Sequence, residues 1–155
     1  MSAADFQPTE NIRRAGGGNV GRIFATQARR FPNDIALVDG ANGDESLTYA
    51  QLNKRVNQLA HVMLERGVGV GDRVGLLSRN CGPFIEVDLA AAKIGAITTS
   101  LNWRLAPTEL HHCIALTTPS LMFTQDVYLP ALEGTKPTRL VFGPEYEAAL
   151  AAAPD

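Results

Sequence analysis

The chain has 155 residues, 45% hydrophobic and 19% charged, with a formal net charge of −2 and a pI near 5.9. That is globular composition with enough chain for one domain and its core, not a fibrous or low-complexity protein; with Arg13-Arg14, Arg29-Arg30 and Lys54-Arg55 the only adjacent basic pairs, it carries no electrostatic footprint for nucleic acid. No apolar run approaches the roughly 20 residues that cross a bilayer, and residues 1–18 lack the apolar centre of a secretory signal, so the expected location is cytoplasmic.

Residues 1–19 read as a flexible leader, and Gly16-Gly17-Gly18 as a hinge, because no strand precedes it. Val20, Ile23, Phe24, Ala28 and Phe31 recur at helical spacing, and Pro32 ends the pattern. Ile35 to Val38 and Ser46 to Thr48 are extended, separated by the turn residues Asn42-Gly43-Asp44. Thr48 and Gln51 have the T-x-x-Q spacing of a capping box, and Leu47 and Leu52 sit where a hydrophobic staple belongs. Leu52, Val56, Leu59 and Met63 form one apolar stripe of the helix that follows. Gly67 fits its left-handed cap, with Val68 folding back on Met63.

Arg73 to Leu77 reads as a buried strand. Pro83 suits the first turn of a helix running to Ile94 and stopped by Gly95. Ile97 to Leu101 is a strand, and Pro107 opens a helix with Leu110 and Ile114 on one face, closed by Thr117-Thr118-Pro119. Leu121 to Thr124 and Arg139 to Phe142 are strands around a helical turn at Leu129 to Glu133, and Pro144 to Ala153 is an Ala-rich helix. Strands alternating with helices of about a dozen residues predict an α/β fold, a mainly parallel sheet flanked by helices. Leu89 to Ile94 and Ile97 to Leu101, apolar with few charges, are expected to leave sticky surface and an open edge.

Chemistry is harder to find. Gly67-Val-Gly-Val-Gly71 follows a helix and opens a strand, the reverse of a dinucleotide loop, so a turn shaped by Asp72 is expected. In His111-His112-Cys113 the adjacent histidines point apart and no further metal ligand is evident. Cys81 and Cys113 are too few and too distant for a disulfide framework, and nothing marks Cys81 as an activated nucleophile. Asp34, Asp39, Asp44, Glu86 and Asp88 are explained as turn and helix-face residues. Trp103 and Arg104 lie in a strand-to-helix loop, where a functional site and a packing anchor are both open.

Leu47 to Leu52, Gly67 to Val74, Ala92 to Ile97, and Leu101 to Leu105 with Glu109-Leu110, taken together in that order, resemble the adenylate-forming superfamily. Leu47-Thr-Tyr-Ala-Gln-Leu52 is similar to its first core motif, L-T-Y-x-E-L, and Gly67 to Val74 to its G-V-x-x-G-D-R-V. Ala92-Lys-Ile-Gly-Ala-Ile97 resembles the K-x-G-A-x motif that V-P-L-N usually follows; here Thr99-Ser100 stand for V-P. Leu101-Asn-Trp-Arg-Leu105 with Glu109-Leu110 resembles the N-x-R-L…E-L continuation of fatty-acyl-CoA synthetases. Ala106 stands where Thr or Ser caps the next helix, a change worth about 1 kcal/mol.

The resemblance implies the N-terminal portion of an AMP-forming acyl-CoA synthetase. In the complete family enzyme, ATP and magnesium convert a fatty acid to its acyl-adenylate and pyrophosphate, and coenzyme A takes the acyl group. The family holds the phosphates with a Ser/Thr/Gly-rich loop ending in Lys. Here the lysines are Lys54, Lys93 and Lys136, and none lies in such a loop. The expectation is therefore a leader at 1–19, an N-terminal subdomain at 20–143 and a helical tail at 144–155 that ends before the phosphate loop. No catalytic, cofactor-binding or metal residue carries over, and the chain alone is expected to be inactive. Its expected partner is the remainder of the ligase or another copy of itself. The alternatives are a non-catalytic interaction module and an unrelated flavodoxin-like nucleotide binder, which the glycine order disfavours.

Overall fold

Helix α1 spans Val20–Arg30 in the computed structural model, which describes residues 20–40, 43 and 45–155. The expected leader at 1–19, with its Gly16–Gly18 hinge, and Asn42 and Asp44 of the expected turn lie outside the described residues. Gly21 faces α3, where a Cβ would come within 2.7 Å of the Lys93 backbone. Only a glycine lets the two helices approach this closely. Strands β1 (Ile35–Asp39) and β2 (Glu45–Thr48) pair antiparallel as a separate two-stranded sheet.

Helix α2 (Tyr49–Glu65) starts as its local sequence dictates. The Gln51 amide donates to Thr48 Oγ1 at 3.2 Å, and the Thr48 amide donates to Gln51 Oε1 at 2.8 Å. It ends on Gly67 at φ +81°, with the Gly67 amide donating to the Leu64 carbonyl and the Val68 amide to that of Met63. Those two bonds make a Schellman cap, which satisfies carbonyls the helix itself cannot. Leu52, Val56, Leu59 and Met63 are all buried, each contributing about 1.5–3 kcal/mol through apolar surface removed from water.

The remaining strands, β3 (Arg73–Leu77), β4 (Ile97–Ser100), β5 (Leu121–Thr124) and β6 (Thr138–Val141), form one sheet. Its order is β4-β3-β5-β6, and all three pairings are parallel. The crossovers are α3 (Gly82–Ile94), α4 (Pro107–Thr117) and a 3-10 segment at Asp126–Leu132 that starts earlier than the expected turn. Helix α5 (Pro144–Ala152) closes the body through Tyr146 and Leu150. Val74, Leu76, Leu121 and Phe123 pack toward α2, α3 and α5, whereas Leu77 and Met122 pack toward Leu110, Ile114 and Leu132. The central strands are buried on both faces, so they read as continuous apolar runs instead of alternating ones.

One expectation fails here. The run Leu89 to Ile94 is not sticky surface: Ala90 and Ala91 are fully buried and the rest half-buried, because α3 lies beneath α1 and α2. The edge strand β4 does expose Ile97. Ala106 lacks a capping hydroxyl as expected, yet Glu109 still accepts from its amide at 2.9 Å, half of a capping box.

Candidate functional site

In a parallel sheet the loops beyond the carboxyl ends of the strands are the natural place for a ligand, above all where successive connections leave in opposite directions. Here that point falls between β3, which connects outward to β4, and β5, which connects the other way to β6. The loop after β3 carries Arg79, the loop after β4 carries Trp103 and Arg104, and Gln125 follows β5. The Arg79 amide donates to Gln125 Oε1 at 3.0 Å, tying two of these loops together. The Arg104 amide donates to Asn102 Oδ1 at 3.0 Å and shapes the third.

The Arg79 and Arg104 guanidinium carbons lie 4.7 Å and 4.2 Å from the Trp103 ring centroid. Trp103 is half-buried against Tyr128 and the cluster beside α4, with ring centroids 6.4 Å apart. Among the described residues neither arginine is paired with a carboxylate. Two charged forks are thus held by one indole with their N–H groups unneutralised. That arrangement suits a phosphate or carboxylate oxygen array, which guanidinium binds in a bidentate manner. Of the two readings open for Trp103 and Arg104, the contacts of the ring with Tyr128 and its cluster show the packing anchor, and the same ring carries both guanidinium groups. Arg79 was missed by sequence reasoning; its position two residues beyond a buried strand was the available signal.

A second polar cluster lies inside the helical layer. Arg55 of α2 donates through Nε to Glu86 Oε1 at 2.5 Å and through Nη2 to Glu86 Oε2 at 3.2 Å. Its Nη1 and Nη2 reach Glu147 at 2.8 Å and 2.7 Å. Tyr146 Oη donates to Glu86 Oε2 at 2.6 Å. Glu86 lies on a helix, as expected, and the face that carries it is buried, at 1% exposure. The Glu147 hydrogen bond, opposed by burial and reinforced by Glu86, raises the Arg55 pKa. Burial first, then the Glu86 charge, pushes Tyr146 well above the ordinary phenol range. Arg55, Glu86 and Glu147 are paired with one another, so the cluster fastens α2, α3 and α5 together, with the Glu147 side chain half exposed at its rim. Asp39, expected as a turn residue, is instead the last residue of β1; it is buried and accepts from the Gly82 amide at 2.7 Å, at the N-terminus of α3.

The glycine run is a helix-to-strand turn. Asp72 Oδ2 accepts from the Gly69 amide at 2.7 Å, and the Gly71 amide donates to the Gly95 carbonyl. A carboxylate already occupies the donor, so the loop does not fit a phosphate. His111 Nε2 lies 2.9 Å from the Ala131 carbonyl, and His112 is exposed. Among the described residues no three His, Cys, Asp or Glu side chains gather around a metal position. Cys81 and Cys113 are free and half-buried, with Cys81 Sγ 3.6 Å from Ser78 Oγ. Asp88 accepts from Thr98, and burial raises its pKa despite that bond. A cleft of about 620 Å³ near His111, Thr118 and Lys136 lies at the opposite end of the sheet from the arginines. No helix among the described residues is long and apolar enough to cross a membrane.

Residues 24–151 match the model of the family described as AMP-binding enzyme. A medium/long-chain-fatty-acid–CoA/3-oxocholest-4-en-26-oate–CoA ligase of Mycobacterium marinum is 43% identical over 81 residues, 52% of this chain and 14% of that protein. The medium/long-chain-fatty-acid–CoA ligase FadD6 of Mycobacterium tuberculosis is 32% identical over 114 residues, 74% of this chain and 19% of the ligase. The crystal structure of the N-terminal domain of FACL13 from Mycobacterium tuberculosis superposes with a TM-score of 0.80 at 27% identity, covering 88% of this chain and 36% of that one. The chain thus spans less than a quarter of the length of the curated relatives it matches.

Proposed function

We propose that this chain, which belongs to the AMP-binding enzyme family, is the N-terminal scaffold segment of an AMP-forming fatty-acyl-CoA ligase. Membership rests on the match over residues 24–151, and the parallel sheet resembles that of the N-terminal domains of acyl-CoA synthetases. In the complete ligase, ATP and magnesium activate a fatty acid as its acyl-adenylate and coenzyme A accepts the acyl group. Among the described residues this segment supplies no phosphate-holding loop, because Asp72 fills its glycine-rich turn. We assign residues 20–143 to the scaffold subdomain and 144–155 to the connection leading out of it. The chain itself contributes a rigid parallel sheet and, at its carboxyl end, the Arg79–Trp103–Arg104 rim. Arginine charge fixed there orients an anionic group without bond chemistry of its own.

The observation that carries this reading is the fold, which superposes over 88% of the chain at a TM-score of 0.80. Purified chain given ATP, magnesium and a medium- or long-chain fatty acid is expected to leave ATP–pyrophosphate exchange at background. Exchange above background would show that the segment is a self-sufficient enzyme. A chimera of the Mycobacterium tuberculosis fatty acyl CoA synthetase carrying residues 24–151 in place of its matching segment is expected to make acyl-CoA. A soluble, folded chimera without activity would count against the ligase reading and favour the interaction module.

A further inference from the structure

The cleft of about 620 Å³ at the amino end of the sheet is held open by side-chain bonds from each of its walls. Arg73 opens β3 and donates to the Thr117 carbonyl and, at 2.9 Å, to Thr118 Oγ1, which ties the end of α4 to the sheet. His111 of α4 donates through Nε2 to the Ala131 carbonyl at 2.9 Å, which ties α4 to the 3-10 segment. Arg139 of β6 donates through Nη2 to the Leu132 carbonyl at 2.6 Å and to Thr135 Oγ1 at 2.9 Å, which shapes the loop forming the far wall. Thr118 lines the cleft and, at φ +45°, is the one residue other than glycine with positive φ among the described residues. A β-branched residue is strained there, and such strain gathers where a ligand site is preorganised.

The charges around the cleft are of one sign. Arg73, Lys136 and Arg139 have no carboxylate partner among the described residues, and no described Asp or Glu lines the cleft. Arg139 Nε is buried without a hydrogen-bond partner, so that guanidinium is not fully satisfied within the chain. We propose that this cleft binds a small carboxylic acid with an apolar body, its carboxylate at Lys136 and its hydrocarbon over Ile114, Ala115, Pro119 and Pro137. Small-molecule sites hold roughly 300–1,000 Å³ and are mostly apolar, with a few convergent polar groups. A phosphate fits less well. Helix α4 ends at the cleft with its negative pole, part of which Arg73 already answers through the Thr117 carbonyl. A singly charged carboxylate meets less repulsion there than a doubly charged phosphate. The cleft lies at the other end of the sheet from the Arg79–Trp103–Arg104 rim, so its occupant is not the group held there. The proposal stands whether or not the ligase reading does.

The test adds octanoate to the isotope-labelled chain and follows its backbone amides by nuclear magnetic resonance. The signals of Ala115, Thr118, Ser120 and Lys136 are expected to shift saturably at low-millimolar octanoate, while those of Arg79, Trp103 and Arg104 stay in place. Lys136→Ala is expected to weaken binding several-fold. Octanol has the hydrocarbon without the charge and is expected to bind several-fold more weakly than octanoate. Ala115→Trp fills the cleft and is expected to abolish the shifts. Both substituted residues are exposed, and the dispersion of each spectrum reports that the variant is folded. Inorganic phosphate carries charge without hydrocarbon and is expected to leave the cleft signals in place. Shifts led by Arg79 and Arg104 overturn the proposal, as does a full response to octanol or a full response after Lys136→Ala. A phosphate response equal to that of octanoate, or no saturable shift at all, overturns it too.

Discussion

Arg55 and Arg104 are the same residue put to opposite uses. Arg55 is enclosed by Glu86, Glu147 and Tyr146, and its N–H groups are spent on carboxylates within the protein. Arg104, with Arg79 beside it, rests on the face of Trp103 at the carboxyl end of the sheet and, among the described residues, meets no carboxylate. A buried ion pair is expensive to create and more expensive to break, so Arg55 is tied to folding. An exposed, unneutralised guanidinium adds little to stability and retains its charge for something outside the chain. The contrast separates the region that makes the body from the region available for recognition.

The largest effect is expected where the contrast is broken from the buried side. Arg55→Ala leaves the Glu86 carboxylate buried without its cation, at a cost of about 3–5 kcal/mol. Urea midpoints check this. The triple change Arg55→Met, Glu86→Leu, Tyr146→Phe removes the charges together and is expected to recover most of the loss. A triple variant no better than Arg55→Ala would mean that shape, not charge, governs the cluster.

Tyr146→Phe comes next. It removes a hydrogen bond to a charged group, worth about 1.5–3 kcal/mol. It also has a pH signature. The folded protein holds the Tyr146 proton above the ordinary phenol value of about 10 because burial and Glu86 disfavour the phenolate. A pKa raised on folding gives stability that is complete below the unfolded value and is lost as pH rises from there toward the folded value. Unfolding midpoints of the wild type should therefore fall between pH 9 and 11 more steeply than those of Tyr146→Phe. Parallel slopes would remove Tyr146 from the alkaline transition.

Thr48→Ala is a smaller change, expected to cost about 1 kcal/mol through the lost cap of α2. Equal denaturant midpoints would mean that the cap contributes nothing. This element also marks how far the sequence can be read. Thr48 with Gln51, Gly67 with Val68 and the apolar stripe of α2 were legible because their partners lie within a few residues. The parallel sheet was legible from the alternation of apolar runs with helices. Arg55 and Glu86 are 31 residues apart, and Arg55 and Glu147 are 92 apart. Each has the composition of a solvated helix face, and only tertiary packing reveals that they meet. The register slip between Ile35 and Leu37 of β1 was hidden for a similar reason: register is fixed by pairing with Leu47 and Thr48, not by the pattern of β1 itself. At the candidate site, Trp103 and Arg104 were marked by their loop, whereas Arg79 required knowing that β3 and β4 are neighbours.

The smallest stability effect should fall on the rim. Arg79→Ala and Arg104→Ala each remove an exposed cation–π contact, worth about 0.5–1 kcal/mol at most, and leave no buried charge behind. Recognition should change much more. Trp103 is the single tryptophan in the chain, so its emission reports directly on the two guanidinium groups stacked on it. Adding pyrophosphate at low ionic strength should draw the arginines toward the anion and alter that emission. About 0.15 M salt should weaken the response, since exposed charges are screened beyond roughly 8 Å under those conditions. Arg104→Ala should reduce the response, and the double variant should abolish it while unfolding near the wild-type midpoint. If the double variant proved as unstable as Arg55→Ala, or if the response survived it, the rim would be part of the scaffold and the two arginine environments would not differ in purpose.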